Sequence, residues 1–361
     1  MKILVSKFMH IGDVLLITPL LENLKTEFPD ALIDVALNEG TEEMITGNPS
    51  VRKVHIYRRS TVKKMPLLQR LGAEWAFARA IRQEGYDLLI NLTAGDRGLF
   101  LAVFSGAREI LSHPSVKNPW LNRFIHRPLP GFAHKHWVDI NLDALRVLGI
   151  EPLHKSVRIY WNAAVDTRID RLMEEYHLRP GNFIHFHPVS RWFFKCIDNA
   201  LSAQIIDYCQ EVLGLPVVVT AAPDDREKER VAEILALTRS EAIDLSGRLT
   251  LKETAALNKR ARAYIGVDTA IMHISAANET PVLAFFGPSI PYAWGPWDNQ
   301  EQHNGYTCYR GDQRMGRHRI LQKAWDCVPC DAKGCDNLGR SECLMHWNVE
   351  EIRQAMDALL R

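Results

Sequence analysis

The sequence predicts an α/β protein made of two successive doubly wound parallel-sheet domains facing each other across a cleft. Three observations carry this reading. Short apolar runs alternate with amphipathic stretches from the first residues onward, the rhythm of strands and crossover helices. Runs such as residues 263–267 are apolar throughout, as strands covered on both faces are. The rhythm breaks once, over residues 152–164, and then restarts, which marks that stretch as a linker between two units of similar size.

In the first unit, residues 2–6 read as a strand and residues 13–28 as one amphipathic helix with Pro19 in its first turns. Strands at 31–37 and 54–57 follow, then a helix over 67–84, a strand over 86–92 and a helix from about 137 to 148. The second unit opens with a helix over 166–176, a strand at 183–187 and a helix over 199–213. A strand at 216–220, a helix over 225–237, a short strand at 242–245 and a helix over 251–259 come next. The strand at 263–267 then feeds a helix at once, with Asp268 or Thr269 as its cap. The apolar run 281–287 ends in the turn formers Gly287, Pro288 and Ser289. Residues 349–360 close the chain as an amphipathic helix, with the first domain as its expected support. The expected divisions are 1–160, 161–347 and a terminal helix over 348–361. No low-complexity tract or short repeat interrupts them.

A chain of 361 residues is long enough for two separate cores. A formal net charge of +1 argues against a general nucleic-acid binder. No apolar run approaches the ~20 residues of a membrane span, and Lys2 comes too early for a signal peptide. The seven cysteines are therefore expected as reduced thiols or metal ligands. These features imply a cytoplasmic protein with a membrane-facing side.

Four motifs bear chemistry. Gly12 permits a tight turn after the first strand, and Asp13 follows at a helix start. A carboxylate there either caps its helix or takes a proton from a hydroxyl nucleophile. The glycines of the dinucleotide fingerprint and the Walker lysine are both absent, which disfavours a dehydrogenase. The second domain opens with Ser190, Arg191 and Lys195 after a strand, one neutral and two charge-assisted donors suited to a diphosphate. A solvated basic loop is the plainer meaning. Asp224 and Asp225 follow the strand at 216–220, where an acid can bind ribose hydroxyls or simply complement a helix N-terminus. Asp268, Thr269 and His273 stand at the mouth and first turn of a helix, a place where open α/β sheets bind phosphates and sugars.

Gly12-Asp13 with Thr18, Pro19 and Leu20, the loop from His187 to Lys195, and Asp268-Thr269-Ala270 with His273 together resemble the glycosyltransferase family 9 heptosyltransferases. The resemblance spans nearly the whole chain in family order. Arg191 to Lys195 and the late cysteines look most like the lipopolysaccharide core heptosyltransferase III branch. It implies a GT-B fold of two Rossmann-like domains and inverting transfer from ADP-L-glycero-β-D-manno-heptose, with no metal required. By this resemblance Asp13 matches the catalytic base and Lys195, beside Ser190, the lysine that steadies the donor phosphates. Asp268 matches the carboxylate that holds donor-sugar hydroxyls, and Thr269, Ala270 and His273 the rest of that motif. Ala270 stands where the family often has glycine, and Val189 where many relatives have a hydroxyl; Asp225 is a loose match. The implied partners are the phosphorylated lipopolysaccharide core and the inner face of the bacterial inner membrane.

Arg58, Arg59, Lys63, Lys64 and Arg70 place five cations in a loop and helix start, either a solvated basic face or a patch that draws a polyanionic acceptor. Cys327, Cys330, Cys335 and Cys343 follow Cys308. They are read chiefly as reduced thiols in a structured loop, with a zinc tetrad as the alternative. Trp294, Trp297, Trp325 and Trp347 read as packing residues or as a stacking surface for an adenine or sugar ring. The function expected is transfer of the third heptose to the second heptose of the core. The alternatives are addition of the first or second heptose, or a non-catalytic sugar-nucleotide-binding protein.

Overall fold

A computed structural model describes residues 1–93, 95–132 and 134–361, and the chain divides into two units, Met1–Tyr160 and Trp161–Arg361.

The first unit holds a six-stranded sheet, β3-β2-β1-β4-β5-β6, parallel at every pairing. Its strands are β1 (Lys2–Lys7), β2 (Leu32–Asn38), β3 (Lys53–Tyr57), β4 (Leu88–Asn91), β5 (Glu109–Ser112) and β6 (Arg127–Pro128). Central β1 carries Ile3, Leu4 and Val5 wholly out of solvent, which is why its sequence is apolar on both faces. The helix read over 13–28 is in fact two, α1 (Ile11–Leu15) and α2 (Thr18–Glu27). A continuous helix would need an N–H from residue 19 to the Leu15 carbonyl. Pro19 has none and its ring clashes there, whereas a first turn tolerates it. The Thr18 hydroxyl donates to Leu15 O instead, at 2.9 Å. Helices α3 (Arg59–Lys64), α4 (Leu67–Glu84), α5 (Asp96–Ser105) and α6 (Trp137–Val147) complete the unit. Helix α5 and strand β5 lie in a stretch to which the sequence analysis assigns no element. Gly98 is a point of close approach: a Cβ there would stand 2.2 Å from Asn91 Oδ1.

The second unit holds a seven-stranded sheet, β12-β13-β11-β10-β7-β8-β9. The strands are β7 (Ile184–His187), β8 (Val217–Val219), β9 (Ile243–Asp244), β10 (Ala263–Val267), β11 (Val282–Phe286), β12 (Gln313–Met315) and β13 (His318–Gln322). All pairings are parallel except that of β12 with β13. Both sheets run outward in one direction from their first strand and then jump back to its other side. That reversal, between β1 and β4 and again between β7 and β10, is where doubly wound sheets bind ligands.

Around this sheet lie α7 (Ala163–Glu175), α8 (Asn199–Asp207), α9 (Asp225–Leu235), α10 (Leu251–Lys259), α11 (Ala270–Ala277), α12 (Pro291–Trp294), α13 (Glu342–Met345) and α14 (Val349–Leu360). Helix α7 begins inside the stretch read as linker, because the Asn162 side chain accepts from the Val165 N–H at 3.2 Å and caps it. The apolar face of α14, Ile352, Ala355 and Met356, is spent in the core of the second unit beside Ile184, Val217 and Leu344. Tyr208 Oη donates to Asp357 at 2.7 Å. The support expected from the first domain is therefore supplied by the second.

Candidate active site

Strands β7 and β10 lie side by side with Gly266 opposite His187. A Cβ on Gly266 would meet Tyr264 Oη at 2.4 Å and the His187 carbonyl at 2.6 Å, so only glycine fits. Two residues on, the chain turns into α11 with Thr269 as N-cap, whose own side chain accepts no first-turn N–H. Asp268 stands just before the cap position. Its buried Oδ2 lies 2.6 Å from Lys195 Nζ and accepts from Ser289 Oγ at 2.5 Å. Burial acts to raise the Asp268 carboxyl, yet the charge and hydrogen bond of Lys195, then the bond from Ser289, hold it below the usual range. Loops after β7, β10 and β11 therefore converge on one ionised carboxylate. Ser289 entered the sequence reading only as a turn former; its place at the end of the next apolar run after 263–267 was the available signal.

Ser190 is buried, and its Oγ accepts from the Trp192 N–H at 3.2 Å, leaving its own O–H to donate elsewhere. Arg191 is exposed, its guanidinium 5.5 Å from the Trp192 ring centroid. His273 is buried one turn into α11, its ring 6.4 Å from that of Trp294. Ala270 opens the helix and is half-buried. Beneath these residues lies a polar, uncharged layer. His185 and His187 both meet Thr220 Oγ1, at 2.8 and 2.9 Å, and Asn258 Nδ2 donates to His185 Nδ1 at 2.9 Å. Burial, then His187, pushes His185 down to about 3, and burial pushes His187 down to about 4. Both rings are neutral at neutral pH.

At the end of β8 the expected acid is exposed, and another carboxylate is buried nearby. Asp225 projects into solvent and pairs with Lys228 at 2.8 Å, its carboxylate 87% exposed. Asp224 caps α9, accepting from the Arg226 and Glu227 N–H groups. The buried carboxylate there is Glu227, whose Oε2 accepts from the Ala222 N–H at 3.1 Å. Burial raises it, with the nearby charge of Arg191 partly opposing. Helical period separates the two: Glu227 lies two residues past Asp225 and turns back to the sheet.

In the first unit Asp13 sits in α1, buried, with Oδ2 accepting from the His10 N–H at 3.2 Å. Its other oxygen, Oδ1, is shielded from solvent and accepts no hydrogen bond among the described residues, a costly arrangement for a carboxylate with no incoming donor. The capping reading is met through Oδ2, and Oδ1 is not used by it. Lys7, at the end of β1, is a charge the sequence reading passed over. It is buried, donates to Leu92 O and Asn141 Oδ1 at 3.3 Å each, and lies 4.7 Å from the Trp137 ring centroid. Burial lowers it to about 8 against the pull of Asp13. A lysine closing an apolar strand five residues before Gly12 was its signal.

Of the basic stretch, Arg58 precedes α3, which contains Arg59, Lys63 and Lys64, and Arg70 lies in α4 with Nε 3.4 Å from Glu74. Among the described residues the other four form no salt bridge. Among the described residues, too, no three His, Cys, Asp or Glu side chains are grouped to hold a metal ion. The late cysteines are free thiols. Cys343 is pushed up to about 12 by burial and then by Cys335, Cys330 and Cys327. Trp297 is buried as a packing residue.

The profile of glycosyltransferase family 9 (heptosyltransferase) matches residues 74–323. The chain is 32% identical to lipopolysaccharide heptosyltransferase 3 of Escherichia coli over 309 residues, 84% of this chain and 87% of that protein. It is similar in fold to the glycosyl transferase family 9 structure from Veillonella parvula DSM 2008, with a TM-score of 0.82 at 20% identity, covering 99% of this chain and 97% of that one. The structure of E. coli heptosyltransferase WaaC with ADP-2-deoxy-2-fluoro heptose matches with a TM-score of 0.70 at 15% identity, over 99% of each chain.

Proposed function

This chain belongs to glycosyltransferase family 9, and we propose from that premise that it transfers L-glycero-D-manno-heptose from ADP-heptose to the second heptose of the lipopolysaccharide inner core. It is a heptosyltransferase with the GT-B fold. The observation that carries the third-heptose step is the identity with lipopolysaccharide heptosyltransferase 3 over most of both chains. The ADP-heptose analogue held by WaaC supports the donor.

In this reading the acceptor oxygen bonds to C1 of the donor heptose while the C1–oxygen bond to ADP breaks, with inversion, and ADP leaves with the bonding electrons. Asp13 takes the hydroxyl proton through Oδ1, the oxygen without a partner among the described residues. Lys195, Arg191, Ser190 and the N-terminus of α11 at Thr269 and Ala270 stabilise charge on the departing diphosphate. Lys195 has three donors, so one can stay on Asp268 while others reach phosphate. Asp268 accepts from donor-sugar hydroxyls with His273 beside it. Glu227, in place of Asp225, is the acid we assign to the ribose. Side-chain cations handle the phosphate charge, so the proposal requires no metal. Arg58, Arg59, Lys63, Lys64 and Arg70 draw in the phosphorylated core. The enzyme then works peripherally at the inner face of the inner membrane, consistent with there being no helix among the described residues long and apolar enough to cross one.

The test is ADP release and product mass with ADP-heptose and purified cores carrying one, two or three heptoses. Turnover confined to the two-heptose core supports the step. Turnover on a shorter core moves it, and donor binding without turnover on any core points to a sugar-nucleotide-binding protein.

A further inference from the structure

Helix α4 is apolar on two sides. Ala78 and Ile81 face the core of the first unit, yet Leu68, Leu71 and Trp75, spaced along one outer stripe, are 83%, 56% and 62% exposed. The stripe does not end with the helix. The Trp75 ring meets that of Phe104 edge-on at 6.0 Å. Phe100, one turn earlier in α5, meets Trp120 at 6.3 Å. Phe100, Phe104 and Trp120 are all exposed. One unit thus presents a continuous outward ridge of two leucines and four aromatic rings, far from the usual scatter of single apolar residues.

Cations border the ridge. Arg79 and Arg82 line a recess together with Trp75 and Phe104, and the Arg123 guanidinium lies 5.6 Å from the Trp120 ring centroid. Between Arg58 and Arg82 the chain carries seven cations and a single carboxylate, Glu74, which is engaged by Tyr57 and Arg70. Tryptophan, phenylalanine and leucine beside Lys and Arg is the composition that settles at a bilayer interface, rings among the headgroups and cations on lipid phosphates.

We infer that this ridge, running from Leu68 through Trp75, Phe104 and Phe100 to Trp120, is the surface by which the protein docks on an anionic lipid bilayer. Charge selects the occupant. A second copy of the chain would set two such cationic borders against each other, which like-charge repulsion disfavours, whereas anionic headgroups complement them. The inference rests on the proposed reaction only in that a glycolipid acceptor gives docking a purpose, and its deciding readout, vesicle binding, uses neither donor nor acceptor.

The experiment is co-sedimentation of the full chain with vesicles of phosphatidylethanolamine and phosphatidylglycerol, alongside vesicles of phosphatidylcholine alone. The variant is Leu68→Glu/Trp75→Glu, both sites being exposed, with circular dichroism and turnover on a deacylated, soluble core to verify its fold. The expected result is binding to the anionic vesicles that falls at least fivefold in the variant and in high salt, with little binding to phosphatidylcholine, and soluble-core turnover within twofold of the unaltered chain. Equal sedimentation of variant and unaltered chain overturns the inference. So does concentration-dependent self-association, read by light scattering, that the substitutions abolish while vesicle binding is absent. Failure of turnover on every core, with vesicle binding intact, would count against the reaction and leave the docking surface standing.

Discussion

Lys195 Nζ stands 2.6 Å from Asp268 Oδ2, so the two residues expected on different parts of a donor neutralise each other before any donor arrives. The carboxylate side chain is 8% exposed and the lysine 25%. Removing the cation strands a nearly buried charge, which costs more than the pair contributes. Lys195→Met is expected to lower stability in urea by about 2–3 kcal/mol and to weaken ADP-heptose binding. Adding Asp268→Asn should recover part of the lost stability but none of the binding. Strictly additive losses in urea would argue that the two residues are not coupled.

Much of this was legible in the sequence, and what was missed has physical causes. The alternation of apolar and amphipathic runs predicts both sheets because each strand is covered on two faces. The polar residues after strands mark the loops that reach Asp268. Which side chains meet is decided by strand order, and order is not local: Ser289 reaches Asp268 only because β11 pairs with β10. Asp225 and Glu227 are told apart only by which face of α9 points inward. Lys7 is hidden by its place at the end of an apolar strand. The split at Pro19 follows from local chemistry alone.

Stability should fall as pH drops below about 6.5. His185 and His187, with values pushed down to about 3 and about 4, and His318, pushed down to about 4, bind protons readily only when unfolded. Between pH 6.5 and 4 the unfolded chain therefore holds more protons than the folded one. Stability is lost on acidification with a slope of up to about 1.4 kcal/mol per pH unit for each such ring. Asp268, held below its ordinary value, adds a loss only at lower pH. Urea midpoints at pH 7, 6 and 5 measure this, and a flat profile would mean that the rings are already charged in the fold.

Gly266→Ala should destabilise the second unit by about 1–3 kcal/mol through overpacking. The new methyl meets both Tyr264 Oη and the His187 carbonyl. Adding Tyr264→Phe should relieve only the first clash, so thermal melts should show partial rescue. An unshifted melting temperature in the single variant would contradict the contact.

Reversing two cations of α3 with Lys63→Glu/Lys64→Glu should raise the KM for the phosphorylated core by about tenfold or more. The KM for ADP-heptose should stay within about twofold. Equal rises in both constants would count against an acceptor role for this helix.

The most direct measurement pairs turnover with donor affinity in Asp13→Asn. The substitution keeps the size of the side chain while removing its charge and its capacity to take a proton. With the two-heptose core as acceptor, turnover should fall by about 10²–10⁴ while the Kd for ADP-heptose, read by calorimetry, stays within about twofold. Turnover close to that of the unaltered enzyme would contradict Asp13 as the base, and with it the mechanism built on its Oδ1.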